Sequence, residues 1–134
     1  ARGAAVGLHL AGADVILRGR SAEKTREAAE AMDIGWREPT ERAPDGAILV
    51  NATPVGRGAG EAAVFSEEEI AGAAAVVDMV YSKGTTNLIT RARELNLPAA
   101  DGREVLLHQG IAQFAAFTQR VPPKDAMRAA LQRK

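Results

Sequence analysis

Short runs of apolar residues alternate along this chain with longer stretches whose apolar positions return every three or four residues. The first pattern marks buried strands and the second marks helices lying against a sheet. Ala4 to Leu10 reads as a helix ending near Gly12, and Asp14-Val15-Ile16-Leu17 as a short strand. Ser21 sits where a helix N-cap belongs, with an alanine-rich helix from Ala22 to about Met32 behind it. Between Asp33 and Pro44 the pattern supports a short strand near Trp36 and a helical turn. Ala47 to Asn51 is a strand, and Ser66 caps a short acidic helix, Glu67 to Ile70, whose acids suit the positive end of its dipole. Ala74 to Asp78 is another buried strand, running into Met79-Val80-Tyr81. Asn87 to Glu94 is helical, Leu97 to Ala100 extended, and Glu104 to Thr118 a long helix. Pro122-Pro123 breaks the chain before a last helix, Lys124 to Leu131. Strands separated by helices need crossover connections, so the pattern predicts an α/β fold with a mostly parallel sheet.

The segment Leu49-Val50-Asn51-Ala52-Thr53-Pro54-Val55-Gly56 says most about function. A buried strand runs straight into a polar, glycine-bounded turn, and open α/β sheets hold ligands at such strand ends. Asn51 and Thr53 supply hydrogen-bonding side chains, Pro54 stiffens the turn, and Gly56 permits a close approach. The same residues also make an ordinary strand-to-loop junction. Gly56-Arg57-Gly58-Ala59-Gly60 follows but opens no helix, so it reads as a flexible loop.

Composition narrows the classes. A length of 134 residues supports one domain with a single core. With 17 basic and 17 acidic residues the formal charge is zero, which gives no nucleic-acid footprint. No apolar run is long enough to span a membrane, and no signal peptide is visible. The absence of cysteine excludes disulfides and thiolate zinc sites and fits a reducing cytoplasm. His9 and His108, the two histidines, lie far apart, which argues against a protein-ligated metal; His108 reads as structural or exposed.

A doubly wound nucleotide-binding domain opens with a strand, a glycine-rich turn and a helix facing phosphate. This sequence starts inside what reads as that helix, without the strand or the G-x-G-x-x-G turn. Gly3 and Gly7 do not reproduce the fingerprint and are expected to let the helix pack closely on the sheet. At the end of the next strand, Leu17-Arg18-Gly19-Arg20-Ser21 carries cations, Lys24 lies one turn on, and no acid precedes Glu23. A carboxylate there would favour NAD and repel a 2′-phosphate, whereas a guanidinium fork grips one. A solvated basic turn capped by Ser21 is the plainer alternative.

Three segments in order resemble one family. Asn51-Ala52-Thr53-Pro54-Val55-Gly56, then Val77-Asp78-Met79-Val80-Tyr81, then Asp101-Gly102 with Leu106-Leu107-His108-Gln109-Gly110 and Gln113-Phe114, are similar to the C-terminal, cofactor-binding domain of shikimate dehydrogenases. The resemblance implies a Rossmann-like, doubly wound sheet with helices on both faces, here lacking its first strand. It implies NADP as cofactor, with Gly19, Arg20, Ser21, Lys24, Ala52, Thr53, Met79 and Gly102 in its site. Gly19 stands where the family usually has asparagine, which removes one side-chain contact, and Arg18 offers charge in its place. Val105 stands where methionine is common. Tyr81 and Gln109 fall on substrate-binding positions, although propensity alone makes them a packing tyrosine and a surface glutamine. On the long helix Val105, Gln109 and Gln113 share one face, and Leu107, Ile111, Phe114 and Thr118 are expected to form the core stripe.

The implied activity is reversible reduction of 3-dehydroshikimate to shikimate, a cytoplasmic step of aromatic amino-acid biosynthesis. The family's lysine–aspartate acid–base pair belongs to an N-terminal substrate domain, so no catalytic residue is assigned here, and Asp78 and Lys83 are not put in that role. Residues 1–134 then form an N-terminally truncated, C-terminal NADP-binding domain, expected to be inactive alone. A missing strand removes several ladder bonds of about 0.5–1.5 kcal/mol each from a total stability of about 5–15 kcal/mol. Low stability, pairing with another chain at the gap, or an omitted N-terminal segment is therefore expected, which leaves room for a homodimer. A quinate dehydrogenase-like relative and a non-catalytic NADP-binding regulatory module are the alternatives; nucleic acid and membrane are not expected partners.

Overall fold

Helix α1 spans Arg2–Leu10 and ends where Gly12 turns to a φ of +87°. The computed structural model describes residues 1–56, 63–82 and 84–132, and the chain divides into two compact units, Ala1–Ala43 and Pro44–Lys134. After α1 the first unit contains strand β1 (Ile16–Arg18), helix α2 (Ala22–Glu30) and strand β2 (Gly35–Arg37). β1 and β2 pair in parallel, with Ile16 beside Gly35 and Arg18 beside Arg37. Helix α2 is the crossover between them, and Ala29 is buried on the face it turns inward. Ser21 caps it as the sequence suggests, its hydroxyl oxygen accepting from the Lys24 N–H at 3.4 Å.

The second unit alternates β3 (Ile48–Asn51), α3 (Glu67–Gly72), β4 (Ala75–Asp78), α4 (Asn87–Glu94) and β5 (Ala99–Ala100), then adds α5 (Gly102–Thr118) and α6 (Lys124–Gln132). Its sheet is parallel in the order β3-β4-β5, with β4 in the centre. Leu49 and Val76 are neighbours in register and both buried; Ile70 of α3, Ile89 and Ala92 of α4 and Leu107 of α5 complete the core of this unit. Helices α3, α4 and α5 each start on a side-chain cap. Ser66 and Glu69 form a reciprocal capping box on α3, Thr86 caps α4, and the Asp101 carboxylate accepts from the Arg103 and Glu104 N–H groups of α5.

The fold is thus α/β with parallel ladders, as the alternating pattern predicts. Most boundaries differ by one or two residues, for local reasons. Helix α5 begins at Gly102 rather than Glu104, because Asp101 satisfies its first free amides. The last strand shrinks to Ala99–Ala100: the Leu97 N–H closes α4 on the Ala92 carbonyl, and Pro98 has no N–H to offer. The first strand shifts forward to Ile16–Arg18.

Two expectations need correcting. Thr118 is not in a core stripe; it is exposed, its hydroxyl folded back onto the Phe114 carbonyl at 2.7 Å, while Leu107 is buried and Ile111 and Phe114 are half-buried. Gly3 and Gly7 are exposed and a Cβ at either meets nothing within 4 Å, so close packing does not explain them. Residues 57–60 of the expected glycine-rich loop, and Lys83, lie outside the described residues.

Burial ranks the effects of truncation. Ile89→Ala, at a fully buried site, is expected to cost about 2–5 kcal/mol in urea unfolding. Ile48→Ala, at 63% exposure, should stay within about 0.5 kcal/mol. Similar losses at both would contradict this core.

Candidate functional site

Parallel register places Asn51 at the end of β3 beside Asp78 at the end of β4. Both side chains are buried, each 1% exposed. Asn51 Nδ2 donates to Asp78 Oδ1 at 3.0 Å and to the Val55 carbonyl at 3.0 Å. Its Oδ1 accepts from the Thr53 N–H at 3.0 Å and the Thr53 hydroxyl at 2.7 Å. A carboxamide has two donor hydrogens and two main acceptor positions, and here all four are engaged. The expectation that Asn51 offers its side chain to a ligand is therefore corrected: it shapes the Ala52–Gly56 turn from inside. Gly56 closes that turn at a φ of +102°, which a glycine adopts without strain.

The Asp78 carboxylate gathers two further donors. The Val80 N–H reaches Oδ1 at 3.1 Å, and the Thr86 hydroxyl reaches Oδ2 at 2.6 Å. Thr86 Oγ1 also accepts from the Ile89 N–H, so one hydroxyl joins the carboxylate to the start of α4. The sequence reading missed this network. Its only signal was position, since the residue before a helix starting at Asn87 is where a capping threonine belongs.

Of the remaining expected residues of the second unit, Ala52, Thr53, Met79, Tyr81 and Gly102 lie at these strand ends. Ala52 and Thr53 directly follow β3; Met79 directly follows β4, and Tyr81 comes two residues later, 43% exposed. Thr53 Oγ1 accepts from the Val55 N–H at 3.2 Å as well as donating to Asn51, so its hydroxyl also serves the turn. Gly102 begins α5 against β4's exit. A Cβ there would fall 2.8 Å from the Tyr81 nitrogen and closer still to the Val80 carbonyl, which only glycine avoids. Gln109 is exposed, seven residues further along α5, about two helical turns and so on nearly the same line as Gly102. His108 is exposed.

In the first unit the turn after β1 holds Gly19, Arg20 and Ser21, with Lys24 in the first turn of α2. Arg20 and Lys24 are exposed. Arg18 is anchored instead, its guanidinium donating to the Glu41 carbonyl at 2.6 Å, so it is not a loose substitute for a side chain at Gly19. The space beside Gly19 belongs to Thr25: a Cβ would lie 2.7 Å from the Thr25 hydroxyl, which donates to the Ser21 carbonyl.

Among the described residues, no helix is long and apolar enough to cross a membrane, and no group of three or more His, Asp or Glu could hold a metal ion.

Residues 102–132 match the family model for the shikimate 5′-dehydrogenase C-terminal domain. A shikimate dehydrogenase (NADP+) of Halorubrum lacusprofundi is 35% identical over 134 residues, covering 97% of this chain and 49% of that protein. The chain is similar to shikimate dehydrogenases along nearly its whole length. It spans about half the length of the curated relatives that match it along nearly its whole length. The shikimate 5-dehydrogenase of Thermus thermophilus, solved in complex with NADP(H) and shikimate, superposes with a TM-score of 0.74 at 27% identity, over 96% of this chain and 49% of that one. The fold reaches beyond that activity: 5-ketofructose reductase of Gluconobacter superposes with a TM-score of 0.85 at 24% identity, over 98% of this chain and 52% of that one.

Contact at the β4 exit predicts intolerance. Gly102→Ala must displace backbone, and it is expected to lose about 1–3 kcal/mol by thermal unfolding. Gly110→Ala, whose Cβ meets only the terminal methyl of Met127 at 3.2 Å, should be far milder. Equal losses would show that the close approach at Gly102 carries no special weight.

Proposed function

We propose that residues 1–134 are the NADP-binding, C-terminal part of an oxidoreductase that interconverts 3-dehydroshikimate and shikimate. The observation that carries the cofactor assignment is the turn after β1, where Arg20 and Lys24 are exposed and no carboxylate lies between the strand and Glu23. That donor set fits a phosphate ester on the adenosine ribose and does not fit the bare hydroxyls that an acidic residue would hold. The 35% identity over 134 residues to a shikimate dehydrogenase (NADP+) supports the substrate.

Residues take roles accordingly. Arg20 grips the 2′-phosphate as a fork, Lys24 adds charge, and Ser21 donates its hydroxyl proton while its oxygen keeps the α2 cap. Gly19 brings its backbone to the same turn, while a side chain there would meet Thr25. Ala52, Thr53, Met79 and Gly102 line the nicotinamide end, and Tyr81 and Gln109 meet the hydroxyl-rich ring, where a carboxamide can donate and accept at once. NADP(H), when bound, supplies or receives the hydride. The proton donor for the carbonyl comes from outside these residues, so the chain by itself holds and orients rather than turns over. The reading places the whole protein in aromatic amino-acid biosynthesis in the cytoplasm, and it admits a homodimer.

Fluorescence titration tests the cofactor. Arg20→Ala is expected to weaken NADP binding by about tenfold or more while NAD binding stays within about twofold, a difference of about 1.4 kcal/mol or more. The NADP preference should also shrink with added salt, because this guanidinium is exposed. Equal loss for both dinucleotides would remove the 2′-phosphate from this turn. For the intact protein, NADP-dependent oxidation of shikimate is the expected activity. NADP binding with no oxidation of shikimate would favour a regulatory module, and preferential oxidation of quinate would move the substrate.

A further inference from the structure

Val80 is held on both sides of its peptide. Its N–H donates to Asp78 Oδ1 at 3.1 Å, and its carbonyl lies against the bare Cα of Gly102. The carboxylate that holds it is in turn fixed by Asn51 Nδ2 at 3.0 Å and by the Thr86 hydroxyl at 2.6 Å. One buried acid therefore joins the end of β3, the end of β4 and the start of α4.

The residues on either side of Val80 are partly exposed. Met79 is 36% exposed and Tyr81 43%, in a stretch that is neither strand nor helix. The Met79 N–H donates to the Asn51 carbonyl at 2.9 Å, so Met79 is held there as well as by the Val80 peptide, and Tyr81 leaves directly from that peptide. Without the Thr86 hydroxyl, Oδ2 loses a donor in a buried place, and the carboxylate turns to find another. Turning moves Oδ1, and with it the Val80 N–H.

We propose that the Asp78–Thr86 hydrogen bond is a positioning device for the ligand site, setting how Met79 and Tyr81 are presented. Asp78 and Thr86 are positioning residues; they touch no ligand. This inference rests on the reading that Met79 and Tyr81 face the nicotinamide and the substrate. It goes further by naming what holds them in place, since a ligand site needs its groups fixed within about 0.5 Å.

The test compares loss of the Thr86 hydroxyl with loss of a helix cap elsewhere, because Thr86 both caps α4 and holds Asp78. Three variants of the intact protein do this: Thr86→Val, which keeps the shape and loses the hydroxyl; Thr86→Ser, which keeps the hydroxyl; and Ser66→Ala, which removes the cap of α3 and touches nothing at the strand ends. NADPH affinity is read by fluorescence, shikimate KM and kcat by absorbance, and exchange of the Val80 amide by NMR. The expected result is at least tenfold weaker NADPH binding and at least tenfold faster Val80 exchange in Thr86→Val. Thr86→Ser should be within threefold of the parent in both, and Ser66→Ala should lower the Tm with neither change. Thr86→Val equal to Ser66→Ala in affinity and exchange would overturn the proposal. If the parent protein binds no NADPH, the proposed function falls, and the amide exchange alone judges the positioning role.

Discussion

A buried carboxylate governs the arrangement of the second unit. Removing an ionised acid from water costs several kcal/mol unless donors replace the lost hydration. Asp78 receives an amide hydrogen from Asn51, a backbone N–H from Val80 and a hydroxyl hydrogen from Thr86, and hydrogen bonds to a charged acceptor contribute about 1.5–3 kcal/mol each. Those donors come from three separate segments. Each must be in place for the others to be satisfied, so the strand ends and the α4 cap stand or fall together.

The parallel sheet makes that meeting possible. In register, Asn51 faces Asp78 across adjacent strands, two positions beyond the buried pair Leu49 and Val76 on the same face. The apolar pair fixes which face is inward, and the polar pair at the end inherits that direction. A slip of one residue would turn the acid to the opposite face and leave its donors behind. Strand register and site geometry are therefore one constraint. Gly102 adds the last element, since only a residue without Cβ lets α5 begin against the Val80 carbonyl.

The two units carry different chemistry. The first offers the exposed cations Arg20 and Lys24 at and just after a tight turn. Its arginines are not interchangeable: Arg18 is tied to the Glu41 carbonyl, and Arg20 is exposed at the turn. The second offers few outward-facing polar groups at the strand ends, because most of its polarity is engaged internally. Recognition there depends on the shape that Met79, Tyr81 and the turn after β3 present.

Periodicity and capping residues by themselves determined the order of helices and parallel strands, because both are local: Ser21, Ser66 and the apolar runs act within a few residues of themselves. The cationic turn was legible for the same reason, since charge and the absence of an early acid are read directly from Leu17 to Lys24. Asn51 was legible as important but not as internal, because a strand-end asparagine looks the same whether it faces a ligand or a neighbouring strand. Only the tertiary structure decided that, by placing Asp78 beside it and bringing Thr86 across eight residues to the same carboxylate. The role of Gly102 was hidden likewise, for a missing side chain acquires meaning only when another backbone occupies its space.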